Sequence, residues 1–343
     1  MTLEELQQDG YAVRPAEMDD MPEVLELVNR HSRHLMGVDK YRVQDFQKEW
    51  ESSGFDLARD TRLVFAPDGN LIGYGEVWDL EEPLVVIYCW GRVDPAWRGR
   101  GIGSALVQWA EARARQSLAK APPRARLTLV SEAPYLDTCA QQMLREAGFS
   151  LTRHTLQMVI DLEQPSPEQG GQATLPQGVV IRTIIAGKEE RAIFEMLRDA
   201  FRDHWGYIER PREVEFERWM HFVRCDDRFD ASLWFLAVCG DEIVGASLCQ
   251  NEARGDPRMG WIRTLAVQRV WRHRGIATAL LRHSFDELRR RGKKRVGLSV
   301  DAQNLTGATR LYEKVGMRSD PRYQFDTYEK ELRPGKELRV QTL

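Results

Sequence analysis

The sequence predicts an α/β (α+β) fold that is built twice, because strand-like and helical patterns follow one another in the same order in both halves of its 343 residues. Two features are repeated: a basic, glycine-containing turn between a strand and a helix, and a later short helix that stops at glycine. Self-similarity over half a chain indicates two related domains and not a solenoid. We therefore expect domains at residues 1–162 and 179–343, joined by a linker at residues 163–178 that is rich in Pro, Gly, Gln and Ser.

The repeated elements can be paired along the chain by their patterns. Alternating apolar residues predict strands, apolar residues three and four apart predict helices, and Gly with Asp marks the hairpin turns. The pairs, first half before second, are the opening strands Tyr11–Arg14 and Val179–Arg182, the helices that begin near Met18 and Glu189, the hairpins Leu63–Gly73 and Trp234–Gly245, the strands Ala125–Ser131 and Arg295–Val300, the glycine-stopped helices Ala140–Gly148 and Ala308–Gly316, and the closing strands His154–Leu162 and Tyr323–Leu332.

Composition is typical of a globular protein and disfavours several classes of function. Hydrophobic residues make up 42% and charged residues 29% of the sequence, and the net charge of −3 does not favour nucleic acid as a partner. No apolar run approaches the ~18 residues of a membrane-spanning helix, so no membrane partner is expected. The N-terminal stretch lacks the pattern of a signal peptide. The five cysteines are scattered without a CxxC pair, which argues for reduced thiols in a cytoplasmic protein and against zinc.

The turn Gln268–Leu281 (QRVWRHRGIATALL) joins an apolar strand to an amphipathic helix. Helix N-termini carry unpaired N–H groups and a partial positive charge, so they hold phosphate well. Gly275 would let an anion approach the backbone, while Arg272 and Arg274 add cations suited to phosphate oxygens. Such a turn can also be ordinary solvated surface, but its copy at Val93–Leu106 (VDPAWRGRGIGSAL) favours a pyrophosphate cradle.

The spacing within both turns resembles a known signature. Arg98–Gly103 (R-x-x-G-x-G) and Arg272–Ala277 (R-x-x-G-x-A), called the first and second cradle below, are similar to the acyl-CoA-binding pattern R/Q-x-x-G-x-G/A of the GNAT (GCN5-related) N-acetyltransferases. With the paired elements, the resemblance covers nearly the whole chain and is closest to two-domain members of the mycothiol synthase type. It implies a mixed, mostly antiparallel sheet flanked by helices in each domain, acetyl-CoA as co-substrate, and no metal.

The resemblance also implies which residues contact the cofactor. The backbone of the strand before the second cradle would pair with the pantetheine arm, and an amide there would polarise the thioester carbonyl as an oxyanion hole does. The implied cofactor-binding residues are Leu265, Ala266, Val267, Arg272, Arg274, Gly275, Ile276, Ala277, Thr278 and Asn304 in the second half, and Arg98, Arg100, Gly101, Ile102 and Gly103 in the first.

Tyr312 is the expected catalytic residue, by resemblance to the tyrosine that protonates the departing thiolate in many members. A phenol of pKa ~10 can protonate a thiolate of pKa ~8.5. The alternative is a half-buried aromatic side chain on an amphipathic helix. The first half has Leu144 in place of Tyr312 and Leu136 in place of Asn304. We therefore expect catalysis in the second half, while the first half either binds CoA without reaction or completes the substrate cleft.

The general base and the acceptor contacts are left open by the sequence. The resemblance implies a glutamate at the start of the strand before the second cradle, but Trp261 occupies that position. Glu252 and Asp256 could replace the glutamate through water, or they could be ordinary loop carboxylates. Two further segments could border the acceptor or simply be packed helix ends, and neither has the spacing of a metal site. These segments are Asp199–Arg212, with Asp203, His204, Trp205 and Tyr207, and Asn29–Met36, with His31 and His34.

These observations together predict an N-acetyltransferase. It would transfer acetyl from acetyl-CoA to the primary amine of a small molecule by direct attack in a ternary complex. The alternatives are an acetyltransferase for protein N-termini or lysines, which needs an open groove, and a non-catalytic CoA-binding regulatory protein. Nucleic acid and membrane are not expected as partners, and the chain would be a monomer, as a pseudo-dimer of domains, or a homodimer.

Overall fold

The computed structural model describes residues 1–163, 175–303 and 307–341. Helices and strands follow the predicted order in both halves, and a mixed, mostly antiparallel arrangement flanked by helices confirms the predicted fold class. Contacts divide the chain into two compact units. The first unit comprises Met1–Thr155 and Pro321–Leu338, and the second comprises Leu156–Asp320 and Arg339–Leu343. Residues 164–174 of the predicted linker lie outside the described part of the chain.

The first unit surrounds one sheet. Its elements are α1 Leu3–Gln8, β1 Ala12–Arg14, α2 Met21–Met36, α3 Val43–Trp50, α4 Leu57–Asp60, β2 Thr61–Phe65, β3 Leu71–Trp78, β4 Val86–Val93, α5 Ile102–Arg115, β5 Leu127–Pro134, α6 Thr138–Glu146 and the first part of β6 Ser150–Asp161. The last strand of the chain, Phe325–Arg333, lies between β5 and β6 in this unit. β4 and β5 run parallel, and the other registered neighbours run antiparallel.

The second unit repeats this plan. Its elements are the second part of β6, β7 Val179–Thr183, α7 Glu190–Phe201, α8 Arg212–Cys225, β8 Trp234–Cys239, β9 Glu242–Gln250, β10 Met259–Val267, α9 Ile276–Arg290, β11 Arg295–Asp301, α10 Ala308–Lys314 and β12 Arg318–Ser319, and the strand at Phe325–Arg333 is β13. The strand order is β6-β11-β10-β9-β8-β7, with β12 paired to β6. Here β10 and β11 form the parallel pair.

The two compact units are not two consecutive stretches of the chain, because the last strand belongs to the first unit. β13 comes last in the chain, yet its residues pair with β5 from Phe325↔Pro134 to Arg333↔Leu127 in the first unit. β6 serves both units, since its residues up to Thr155 belong to the first and those from Leu156 to the second. The first sheet is therefore complete only when the C-terminal strand has been added.

Glycines set the close approach of each cradle helix to its sheet. In the first unit, Ile102 and Leu106 of α5 pack on one face of the sheet. A Cβ at Gly73 of β3 would lie 3.0 Å from Ile102 Cγ2, and one at Gly75 would lie 3.2 Å from Leu106 Cδ2. In the second unit, Gly245 of β9 has the same role against α9. The glycines thus hold both helix N-termini next to the parallel strand pair.

The opposite face of the first sheet is covered by α2 and α3. Leu27 and Phe46 from these helices pack against Tyr74 of β3 in one buried cluster. Full burial of such side chains contributes roughly 1.5–3 kcal/mol each. Among the described residues, no helix is both long and apolar enough to cross a bilayer.

Candidate functional site

Both cradles have the backbone that the sequence predicts. Gly101 precedes α5 with φ 77° and Gly275 precedes α9 with φ 83°, which is the left-handed region that favours glycine. In each case the helix begins directly after a strand of the parallel pair and a short 3₁₀ turn. The first helical turn in each case has unpaired backbone N–H groups, which is the feature expected of an anion site, and at the first cradle the Met1 side chain packs against Gly101.

The second cradle keeps this backbone even though one of its left-handed positions is occupied by a residue other than glycine. His273 has φ 61°, and the matching residue of the first cradle, Gly99, has φ 75°. A left-handed conformation is unfavourable for a residue with a side chain. The same path with and without glycine indicates that the shape of the turn is maintained in both halves.

The second arginine of each cradle stacks on the tryptophan of the same turn. The Arg100 guanidinium lies 4.4 Å from the Trp97 ring centroid, and that of Arg274 lies 5.0 Å from the Trp271 ring centroid. Both arginines are exposed. Stacking restricts the long side chains while it leaves the edges of the guanidinium groups available for hydrogen bonds.

The first arginine of each cradle differs between the halves. Arg272 uses all three of its side-chain nitrogens within the protein: Nη2 donates to the Ala200 carbonyl at 2.7 Å, Nη1 to Asp203 at 3.2 Å, and Nε lies 3.4 Å from the Val267 carbonyl. It therefore fastens the end of α7 to the end of β10. Its expected contact with phosphate stays a prediction.

Arg98 is held by one nitrogen only. Its Nη2 donates to Asp137 Oδ2 at 2.7 Å and lies 3.0 Å from His31 Nε2, while its other nitrogens have no partner among the described residues. Burial, partly offset by the hydrogen bond to Asp137, lowers the pKa of His31 to about 4, so the ring is neutral. Asp137 also accepts from the Ala140 amide at the start of α6. Arg98 is thus a fixed cation whose Nε and Nη1 groups are available for further hydrogen bonds.

The edge of the strand before each cradle is free to accept a ligand. β10 pairs with β11 only from Met259↔Arg295 to Trp261↔Gly297 in the described register, whereas Leu265, Ala266 and Val267 pair with β9 on their other side. In the first unit, β4 and β5 pair from Val86↔Thr128 to Tyr88↔Val130. Backbone groups of both strands beyond these pairs lie where the resemblance predicts the pantetheine arm.

In the first unit, a cavity of about 390 Å³ lies between β4 and β5 beyond their last registered pair. Its walls are Cys89–Val93 of β4, Arg98, Gly99 and Gly101–Ser104 around the cradle, Ser131, Glu132 and Pro134 of β5, and the side of α6. A Cβ at Gly103 would lie 2.8 Å from Met143 Sδ, so a larger residue there would reach into α6. The cavity runs from the cradle to the strand edge, and its size and lining suit an elongated cofactor arm.

Tyr312 lies inside the core of the second unit. It packs with Val300, Val315 and Met317 and is 7% exposed. Burial raises the pKa of Tyr312 to about 12, so its hydroxyl keeps its proton at neutral pH. No described residue accepts a hydrogen bond from that hydroxyl. Its counterpart Leu144 is also buried, at 2% exposure, in the first unit.

The remaining predicted cofactor residues are placed as follows. Ile276 and Ile102 are buried beneath their cradles, and Ala277 and Thr278 are half-buried on the first turn of α9. Asn304 lies outside the described residues, as do residues 305 and 306.

The two suggested base candidates differ in their surroundings. Asp256 is buried, pairs with Arg295 and accepts from the Arg258 amide at 3.0 Å, so it is a structural carboxylate. Glu252 is half-buried in the loop before β10. Trp261 covers β11, because a Cβ at Gly297 would lie 2.8 Å from the indole. The base of the second half is therefore still open.

The segment Asp199–Arg212 is tied to its own unit by several contacts. Asp203 pairs with Arg272, and burial lowers the pKa of His204. The Gly206 amide donates to the Val340 carbonyl at 2.9 Å, and the Trp205 indole lies 3.3 Å from Gln341. This segment forms a packed helix end closed by the C-terminal tail.

Glu132 is a functional candidate that the sequence does not single out. It lies on β5 and lines the cavity of the first unit. Burial raises its pKa, and the charges of Arg92 and Lys40 oppose that rise only in part. In the sequence, Glu132 is marked only as a single carboxylate that directly follows a predicted apolar strand. That pattern indicates a cleft residue only when the end of the β4–β5 pairing is known.

Comparison with known proteins identifies relatives that match most of the chain. The model of the acetyltransferase (GNAT) family matches twice, at residues 25–128 and 191–317. A mycothiol acetyltransferase from Acidothermus cellulolyticus is 32% identical over 266 residues, which cover 73% of this chain and 73% of that protein. A second one, from Geodermatophilus obscurus, is 31% identical over 268 residues, covering 74% of this chain and 77% of that protein.

Solved structures of similar architecture cover both halves at once. A GCN5-related N-acetyltransferase from Sphaerobacter thermophilus has a TM-score of 0.78 and 34% identity, and the match covers 97% of this chain and 99% of that one. A tandem GNAT protein from the clavulanic acid biosynthesis pathway has a TM-score of 0.70 at 16% identity over 95% of this chain and 100% of that one, which shows a shared fold.

Proposed function

Because this chain belongs to the acetyltransferase (GNAT) family, we propose that it transfers acetyl from acetyl-CoA to the primary amine of a small molecule. The observation that carries the proposal is the cradle itself. In both halves a left-handed glycine starts a helix beside a strand whose edge is open, as a pyrophosphate followed by a pantetheine arm requires.

The residues present suit acetyl-CoA. Arg98, Arg100 and Arg274 supply cations at the two helix N-termini, and the cavity of about 390 Å³ offers room for an arm next to the first of them. A buried strand amide within Leu265–Val267 would donate to the thioester oxygen. Such donors stabilise the charge that develops on that oxygen, by ~3 kcal/mol in other enzymes.

In the proposed mechanism the second half carries out the transfer. The neutral amine attacks the thioester carbon, the new C–N bond forms, and the C–S bond breaks with its electron pair on sulfur. Tyr312 donates its proton to the departing thiolate. Burial, which raises the pKa of Tyr312 to about 12, keeps the phenol protonated at neutral pH. Asn304 would help to hold the cofactor.

The relatives support a small-molecule acceptor. Proteins named mycothiol acetyltransferase are about one-third identical to this chain over most of its length. We infer a small, polar primary amine as acceptor.

An amine panel tests the proposal. Purified protein is given acetyl-CoA with amino sugars, amino-acid derivatives, polyamines, and peptides that carry free N-termini or lysines, and CoA release is measured with product mass spectrometry. We expect acetylation of at least one small amine and none of the peptides. A double variant, Gly101→Asp with Gly275→Asp, places a carboxylate in both cradles and should release no CoA.

Two results would contradict the proposal. Acetylation confined to peptides would replace the small-molecule acceptor with a protein. Binding of acetyl-CoA without CoA release for any amine would favour a regulatory CoA-binding protein.

A further inference from the structure

Glu132 occupies a particular position in the first unit. The last registered pair of β4 and β5 is Tyr88↔Val130, and Glu132 follows two residues later, where β5 borders the cavity. On the other edge of β5, Glu132 is paired with Thr327 of β13. Its backbone is therefore fixed by the sheet while its side chain faces the cleft.

An aromatic and cationic wall stands beside Glu132. Continuing the parallel register places Trp90 of β4 on the same face as Glu132. The Arg92 guanidinium lies 4.3 Å from the Trp90 ring centroid, and Tyr41 meets the Trp90 ring edge-on at 5.7 Å. Trp90 and Arg92 also line the cavity. An acceptor with an apolar or ring-shaped body could rest on this wall.

The Glu132 carboxylate is unengaged. It has no hydrogen-bond or ion-pair partner among the described residues, unlike Asp137 in the same cavity, which is bound by Arg98. Solvent reaches the side chain through the cavity, yet the surrounding protein is dense enough for burial to raise its pKa. A carboxylate that is exposed to a ligand cleft and bound by no neighbouring side chain is available to a group that enters the cleft, and a raised pKa at such a position marks a functional candidate.

We propose that the cleft of the first unit is a second acetyl-transfer centre, in which Glu132 accepts the proton of the attacking amine. The proposal rests on acetyl-CoA binding at the first cradle. The amine nitrogen forms a bond to the thioester carbon, its proton passes to a Glu132 carboxylate oxygen, and the C–S bond breaks with the electron pair on sulfur. Water then takes the proton from Glu132.

Leu144 makes this centre slower but leaves it able to react. A thiolate with pKa ~8.5 can leave without a proton donor near neutral pH. A positioned general acid contributes about 10²–10⁴-fold. The first centre is therefore expected to turn over more slowly than the second by about that factor.

Separate silencing of the two cradles tests the proposal. Gly275→Asp places a negative charge in the second cradle, and Gly101→Asp does the same in the first. We expect the Gly275→Asp protein to acetylate an amine slowly and to bind acetyl-CoA at one site by calorimetry. Adding Glu132→Gln should lower its kcat at least ~10²-fold with the KM for acetyl-CoA unchanged, and Glu132→Asp should restore part of the rate.

Controls separate this proposal from the general one. Glu23→Gln, the same change on an exposed helix position of the first unit, should leave the slow activity as it is. If the Gly275→Asp protein binds acetyl-CoA but transfers nothing, or if Glu132→Gln leaves its rate unchanged, the first centre is refuted while the proposed function stands. Failure of the unaltered protein to acetylate any amine would instead refute the proposed function.

Discussion

The two halves share the backbone of the cradle and differ in the side chains around it. The turn follows the same path in both, with His273 in place of Gly99, whereas Arg98 is bonded through one side-chain nitrogen and Arg272 through all three. The first unit has an open cavity with Glu132, and the second has Tyr312. The comparison indicates that the two halves share the geometry of the turn, while the side chains around it have diverged.

The largest difference concerns Tyr312. We expect Tyr312→Phe to lower the turnover of the second half by about 10²–10⁴-fold, because a phenyl ring has no proton for the thiolate. Acetyl-CoA affinity should change little, since the ring still fills its place in the core. Stopped-flow measurement of thiol release together with calorimetry checks both parts.

Tyr323→Phe serves as the control for Tyr312→Phe, because Tyr323 is equally buried at 7% exposure but lies outside both cradles. Its rate should match that of the unaltered protein. Undiminished turnover in Tyr312→Phe would remove Tyr312 from the mechanism. A rate that falls equally in both variants would indicate loss of packing.

The ends of the two cradle helices offer a second contrast. Arg113 of α5 is 4% exposed and pairs with two buried carboxylates, Asp60 at 2.6 Å and Asp79 at 3.1 Å. In α9 the corresponding position near the helix end is taken by Glu287, which pairs with Arg290 and Arg291 near the surface. Only the first half thus depends on a buried ion network here.

Removal of one partner from the buried network should be costly. Arg113→Met removes the cation that two buried carboxylates share, while one carboxylate keeps Arg59 and the other keeps Lys120, and it should lower the free energy of unfolding by about 1.5–3 kcal/mol. The surface counterpart Glu287→Gln should lower it by less than about 1 kcal/mol. Urea unfolding followed by circular dichroism compares the two. Equal losses would show that the network contributes no more than the surface pairs.

The same network gives a dependence on pH. Although burial acts to raise it, hydrogen bonds from Lys120 and Ser117 and the charge of Arg113 lower the pKa of Asp79 to about 2. The stabilisation by this carboxylate is therefore complete above its unfolded pKa of ~3.9 and is lost as pH falls toward 2. Acid unfolding of the Arg113→Met protein should begin at higher pH than that of the unaltered protein.

Local patterns predict much of this fold because they act over few residues. The hairpins, the glycine stops and the strand–cradle–helix order follow from neighbours in sequence, and the structure confirms them. The position of β13 does not follow, because alternation identifies a strand but not which strand it pairs with. Motif spacing likewise places Arg272 in the turn but does not say that its side chain turns inward to Asp203.

The functional contrast is predictable to a similar extent. Tyr312 and Leu144 differ at one motif position, so a sequence comparison is sufficient to notice them. Glu132 becomes a candidate only when the end of the β4–β5 pairing shows that it faces a cavity. Register and cavity depend on packing between distant segments, and the sequence pattern contains neither.

The smallest expected effect is a change in stability caused by the backbone conformation of the cradle. His273 and Gly99 both lie in the left-handed region, and a Cβ built at Gly99 would meet nothing within 4 Å. A residue with a side chain pays ~1–2 kcal/mol there, and glycine loses ~0.5–1 kcal/mol to its greater unfolded freedom. His273→Gly should therefore raise the free energy of unfolding by about 0.5–1 kcal/mol, and Gly99→His should lower it by a similar amount.

Reciprocal shifts in the urea midpoint at constant acetyl-CoA affinity would show that both turns carry the same conformational cost. A loss of stability in His273→Gly would mean that the imidazole contributes a contact of its own, and the two cradles would then be alike in path but not in energy.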